Sequence, residues 1–201
     1  MIGGMAERNG RIELGSERLE AFSDAVFAVI ITIMALELRA PRGHTLADVR
    51  GDLLPGLVVF VLSFTLVGIY WNNHHHLLRA AERISGAVMW TNLFLLFWLS
   101  LIPVMTEWLG EEYEYPLPAA TYGVVLLASG FAYRLLIRAL IRANGRDSAV
   151  ARAIGSDVKG NLSLAIYAAA IPLAFVSPWI SYALYVAVAL LWFVPDRRFA
   201  R

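Results

Sequence analysis

The stretch LEAFSDAVFAVIITIMALEL, residues 19–38, decides the fold. After its first few positions it is almost wholly apolar. Twenty residues at about 1.5 Å rise cover about 30 Å, the hydrocarbon thickness of a bilayer. Yet it carries Ser23 and Asp24 near its start, Thr32 within it and Glu37 at its end, and an ionised carboxylate at membrane depth costs several kcal/mol unless protein or water surrounds it. The helix therefore has work to do beyond spanning.

The remainder of the chain agrees with a membrane reading. Its 201 residues are 59% hydrophobic and 16% charged, with a mean hydropathy of +0.61, outside the range of soluble domains. Apolar segments separated by short polar or proline-bearing breaks predict six spans, at about 17–39, 53–78, 86–108, 117–142, 157–176 and 178–195. They make one all-α, six-helix transmembrane domain over residues 1–201, with no stretch left for a soluble domain and no internal repeat. Residues 1–17 mix Arg8 and Arg11 with Glu7, Glu13 and Glu17 and lead to no small-x-small site, so span one is expected to be permanent, with Ser16 as its N-cap. No cysteine is present, which excludes disulfides and thiolate metal sites.

Fourteen of the 17 Lys and Arg residues fall on the N-terminal arm, the 2–3 and 4–5 connections and the C-terminus. The opposite loops hold Arg39, Arg42 and Arg50 and the acidic run Glu107, Glu111, Glu112 and Glu114. By the positive-inside rule both termini are expected in the cytoplasm, and the chain in the cell membrane.

Helical geometry divides span one into two faces. Relative to Val29, Thr32 lies about 60° to one side, Ile33 about 40° to the other and Leu36 about 20° away, while Asp24 points about 140° off. Phe22 and Ala25 continue the Val29 stripe. Asp24 cannot pair with Arg18, six positions away, and needs a partner from another helix or subunit. Aliphatic residues at helical spacing usually face lipid or a neighbouring helix, so the stripe alone favours plain packing.

Arg18-x-x-x-Phe22-Ser23-Asp24 at the start of an apolar first helix resembles the signature of the transmembrane protein 175 family of potassium channels, in its prokaryotic single-repeat branch. Tyr70-Trp71-x-x-His74-His75 ending span two, Asn92-Leu93 and Leu101-Ile102-Pro103 in span three, and six spans in about 200 residues agree. The resemblance implies a homotetramer whose first helices line a central pore without a TVGYG-type filter loop. It places the constriction at Val29, a threonine layer at Thr32 and further apolar layers at Ile33 and Leu36. It makes Arg18, Phe22, Ser23, Asp24, Trp71, His74, His75 and Asn92 a motif and assembly network. Val29 departs from the isoleucine or leucine common at the principal constriction and leaves a wider neck. Glu37 is placed at the outer mouth, where it raises the local cation concentration. Potassium is the permeant ligand, with other monovalent cations or protons left open; no cofactor, metal or nucleic acid is expected, and no enzyme activity.

Three other constellations resolve without special chemistry. Adjacent histidines on a helix project about 100° apart, so His74, His75 and His76 do not converge on one ion. Arg134, Arg138, Arg142 and Arg146 begin where span four ends, and read as a snorkelling face near lipid headgroups rather than a voltage sensor. Pro103, Pro172 and Pro178 mark a kink and a turn, and Trp108, Tyr113, Tyr115 and Trp179 an interfacial belt. The alternative to a channel is a proton-coupled transporter in which Asp24 and the His74/His75 pair carry protons, a reading that discontinuous helices would favour.

Overall fold

A computed structural model describes residues 3–155 and 157–193, with side chains from residue 16 onward. Helix α1 runs from Gly3 to Leu36. A short helix α2 (Leu46–Asp48), capped by Thr45, passes through a π-helical turn at Val49–Leu53 into α3 (Leu54–Arg79). Then come α4 (Gly86–Leu99), α5 (Ile102–Glu111), α6 (Pro116–Asn144), α7 (Ala149–Ile154), α8 (Val158–Ala174) and α9 (Pro178–Phe193). No strand occurs among the described residues, and the architecture is all-α.

Among the described residues, four apolar stretches are long enough to cross a membrane: Ser16–Leu36, Leu46–Arg79, Gly86–Glu111 and Pro116–Asn144. The chain is a multi-pass membrane protein. Helices α8 and α9, of 17 and 16 residues, are apolar but shorter. One local reading changes and another sharpens. Ser16 does not cap α1, which begins at Gly3: nothing before Ser16 removes a backbone donor as proline would, and its hydroxyl donates to the Leu78 carbonyl at 3.4 Å. The third apolar segment remains one candidate span, Gly86–Glu111, with its kink drawn as a full turn at Ser100 and Leu101, because Pro103 at the second position of α5 has no N–H to continue α4.

Helix α6 is the hub, packed against α4, α5, α8 and α9, and its buried side runs through Ala119, Tyr122, Leu126, Ala132, Leu136 and Leu140. A side chain on Gly123 would collide with the Tyr185 hydroxyl of α9, which donates to the Ala119 carbonyl at 2.9 Å. The hydroxyls of Ser63 (α3), Thr106 (α5) and Tyr122 (α6) form one buried chain, at 2.7 Å from Thr106 to Ser63 and 2.9 Å between Ser63 and Tyr122. Such pairing removes the cost of bringing hydroxyls into an apolar interior. At the basic end, the Asn144 side chain accepts from the backbone N–H groups of Glu82 and Arg83 and donates back to the Arg83 carbonyl, fixing the α3–α4 turn to the end of α6.

Helix α1 lies at the edge, against α3, α5 and the start of α4. Its buried side is Leu19, Ser23, Phe27, Ile30 and Met34, spaced by three or four residues as a helix packed on one face requires. Its opposite side, from Phe22 to Leu36, is uncovered among the described residues.

Candidate functional site

The uncovered side of α1 carries the stripe read from the sequence. Phe22 is 50% exposed, Val29 53%, Ile33 40% and Leu36 84%, and Arg18, Ala25 and Thr32 share the same open face. These residues diverge from the Leu19–Met34 side by helical period alone, and among the described residues no other helix covers them. The Thr32 hydroxyl is 3.0 Å from each of the carbonyls of Ala28 and Val29. Its single proton is thus held by its own helix, and what it offers outward is oxygen lone pairs, the chemistry that replaces water around a cation.

On the opposite side of α1, helices α1, α3 and α4 meet in a directed hydrogen-bond chain. His74 Nε2 donates to Asn92 Oδ1 at 2.7 Å, Asn92 Nδ2 donates to Ser23 Oγ at 3.0 Å, and Ser23 Oγ donates to the Leu19 carbonyl at 2.8 Å. All three side chains are fully buried. The amide fixes the directions, since its oxygen can only accept and its nitrogen only donate; His74 therefore carries its proton on Nε2, and its buried Nδ1 has no partner. Phe27 packs its ring 5.5 Å from that of His74.

Beside it, on the neighbouring faces of α1 and α3, lies a second cluster. Trp71 Nε1 donates to Asp24 Oδ1 at 2.9 Å, so α3 supplies the partner that Asp24 lacked locally. The Trp71 ring stacks on His75 at 5.9 Å between centroids, and His75 Nδ1 sits 2.8 Å from Glu20 Oε1, with Arg79 Nε at 3.5 Å from the same oxygen. Glu20 escaped the sequence reading although it stands four residues before Asp24, on the same face of the helix. Arg18 projects from the exposed side and joins neither cluster, so the structure brings together Ser23, His74 and Asn92 in one group and Asp24, Trp71 and His75 in another.

Glu37, just past the end of α1, turns into a cavity of about 370 Å³ at the acidic end rather than onto the exposed stripe. It shares that cavity with Arg39, Arg42, Asp52, Glu107 and Glu111. Arg39 binds Glu107 at 3.1 Å and Glu111 at 2.5 Å, tying the α1–α2 connection to α5. Glu37 Oε2 is buried there without a hydrogen-bond partner.

Comparison with known proteins places this geometry. Residues 18–103, which hold both clusters and the stripe, match the family model described as endosomal/lysosomal potassium channel TMEM175. A potassium channel of Chryseobacterium sp. (strain P1-3) is 46% identical over 90% of this chain and 94% of its own. The chain belongs to the TMEM175 family. A second relative, a potassium channel of Streptomyces collinus, is 31% identical over 88% of this chain and 91% of its own. The TMEM175 fold is equally plain in a crystal structure titled as a lysosomal potassium-selective channel TMEM175 homolog from Chamaesiphon minutus, which superposes with a TM-score of 0.75 at 27% identity, over 92% of this chain and 98% of that one. The TMEM175 family and these relatives are channels, not enzymes.

Proposed function

We propose that the chain is a potassium-selective channel that conducts passively through a hydrophobic constriction made by α1 from four copies. The observation that carries the reading is the uncovered stripe of Phe22, Val29, Thr32, Ile33 and Leu36 on an edge helix whose other side is fully packed, in a family of channels. Fourfold association would turn the stripe inward as stacked rings. Water is disfavoured between apolar rings, so a cation entering the neck gives up part of its hydration shell; potassium does so at lower cost than sodium, and four Thr32 oxygens offer replacement ligands. Val29 sets a wider ring than a longer aliphatic residue would, which leaves Ile33 and Leu36 as the tighter ones. In this reading the chain makes six passes, α1, α3, α4 with α5, α6, α8 and α9, and the positive-inside rule supports a cell-membrane orientation with the basic ends cytoplasmic and the Arg39–Glu107 end outside. Ser23, His74 and Asn92, with Asp24, Trp71 and His75, hold α1 against α3 and α4, so that the stripe keeps one direction. Glu37 and its acidic neighbours concentrate cations outside the mouth.

The test is potassium flux into proteoliposomes driven by a potassium gradient, with sodium as comparison ion and Ile33→Asn alongside. Fast, potassium-selective flux that the asparagine makes less selective is expected. Proton-coupled transport is the second reading, and the interruption between α4 and α5 is what favours it, since broken helices build many transporter sites. Ser100, Leu101, Ile102 and Pro103 at the break contain no ionisable side chain, which weighs against it. Flux that appears only with an opposing proton gradient would overturn the channel reading in its favour.

A further inference from the structure

Glu20 and Asp24 project from one face of α1, and His75 of α3 reaches up to them. One oxygen from each carboxylate and one ring nitrogen of the histidine all lie within 4.8 Å of one another. His75 Nδ1 faces Glu20 Oε1 at 2.8 Å, a contact that a neutral imidazole can make only through a proton on Nδ1 and that a shared cation would replace. Nitrogen and oxygen ligands at about 2.0–2.1 Å from tetrahedral zinc stand about 3.3 Å apart, within the spread of this cluster.

We propose that Glu20, Asp24 and His75 form a binding site for a divalent transition metal of the zinc class, joining α1 to α3. Two carboxylates and a neutral imidazole bring a charge that a dication balances. The imidazole selects against magnesium and calcium, and the absence of sulfur selects against copper(I). Glu20 and His75 keep 18% and 23% of their side-chain surface, so a water can complete the coordination. The surroundings have the form of an outer shell: the Trp71 N–H occupies Asp24 Oδ1 and leaves Oδ2 free, and its ring stacks on His75 and sets the imidazole plane. Arg79, 68% exposed, now supplies the positive charge beside Glu20 and would be displaced by the metal. Occupancy links the pore-candidate helix to its neighbour by coordinate bonds. The inference does not rest on conduction, because binding is read without flux.

The experiment is a zinc titration of the full chain in detergent, stripped of metal beforehand and competed against a chromophoric zinc indicator. One zinc per chain is expected. Glu20→Gln and His75→Asn should each weaken binding by about tenfold or more, Trp71→Phe should weaken it less, and His75→Cys should retain it, since a thiolate also ligates zinc. Arg79→Ala should tighten binding by removing the competing charge, an effect that a purely structural ion pair would not give. His44→Asn and His76→Asn serve as controls and should bind as the unaltered chain does. Size-exclusion profiles identify any variant that has lost its fold, and the Arg79 and His75→Cys variants then carry the decision. Absence of zinc binding, equal binding by Glu20→Gln and His75→Asn, or loss of binding only in the His44 or His76 variants would overturn the site.

Discussion

Asn92 presents one amide to two helices, and neither neighbour has a substitute for it. Replacing it with leucine strands the His74 N–H and removes a donor from Ser23, leaving buried polar groups unpaired. Asn92→Leu is expected to lower stability by about 1–3 kcal/mol, measured as a shift of the unfolding midpoint in mixed-micelle denaturation. Thr32 is a residue of a different kind, since its hydroxyl proton is already bound within α1 and its loss disturbs no tertiary contact. Thr32→Val should therefore leave stability unaltered while lowering the potassium-to-sodium permeability ratio by about 2–10-fold, the worth of one modest oxygen contact. The reversal potential under bi-ionic conditions checks this, and an unchanged value would remove Thr32 from the selectivity layer. A pH response of flux that disappears in the His74→Asn, His75→Asn double variant would tie gating to this pair, and an unaltered response would exclude it.

At the scale of elements, α3 and α5 cross where Gly110 meets Gly56, and a Cβ on Gly110 would stand 3.0 Å from the Gly56 Cα. Gly110→Ala is expected to push the helices apart at a cost of about 1–3 kcal/mol, read by the same unfolding assay. The contact shows where the sequence was mute: two glycines 54 positions apart, one on α3 and one on α5, announce nothing until the helices are placed. The apolar segments themselves were legible because a bilayer leaves so few options, helix or closed barrel, and twenty apolar positions choose the helix. Ser23 and Asp24 could be singled out because polar groups at membrane depth need partners, and Trp71, His74 and Asn92 because of the family resemblance, but their sorting into two separate clusters depended on the rotation of α3 about its own axis. Glu20 stayed hidden behind the apolar run that follows it, although its four-residue offset from Asp24 was a signal. The start of α1 at Gly3 and the interruption after Leu99 show the ordinary limits at helix ends, where caps compete weakly and a single proline decides.

For the molecule as a whole, the open stripe of α1 and the natural lack of cysteine combine into a direct test of assembly. In a fourfold arrangement, Val29→Cys brings thiols from neighbouring copies within reach of oxidation, whereas Leu190→Cys, equally exposed but on α9, keeps them apart. Copper phenanthroline should convert the first variant, and not the second, into covalent dimers on a non-reducing gel; equal cross-linking of both would count against a central bundle of α1 helices. The same helix has a mechanical property that follows from its composition. Between Ser16 and Leu36 it contains neither proline nor glycine, so it has no joint at which one half could move without the other. It behaves as a shaft. Any torque that swings Val29 out of line must also turn Ser23 and Phe27 in their seats on α3 and α4, and the resistance of those seats sets the stiffness against which an opening stimulus has to work.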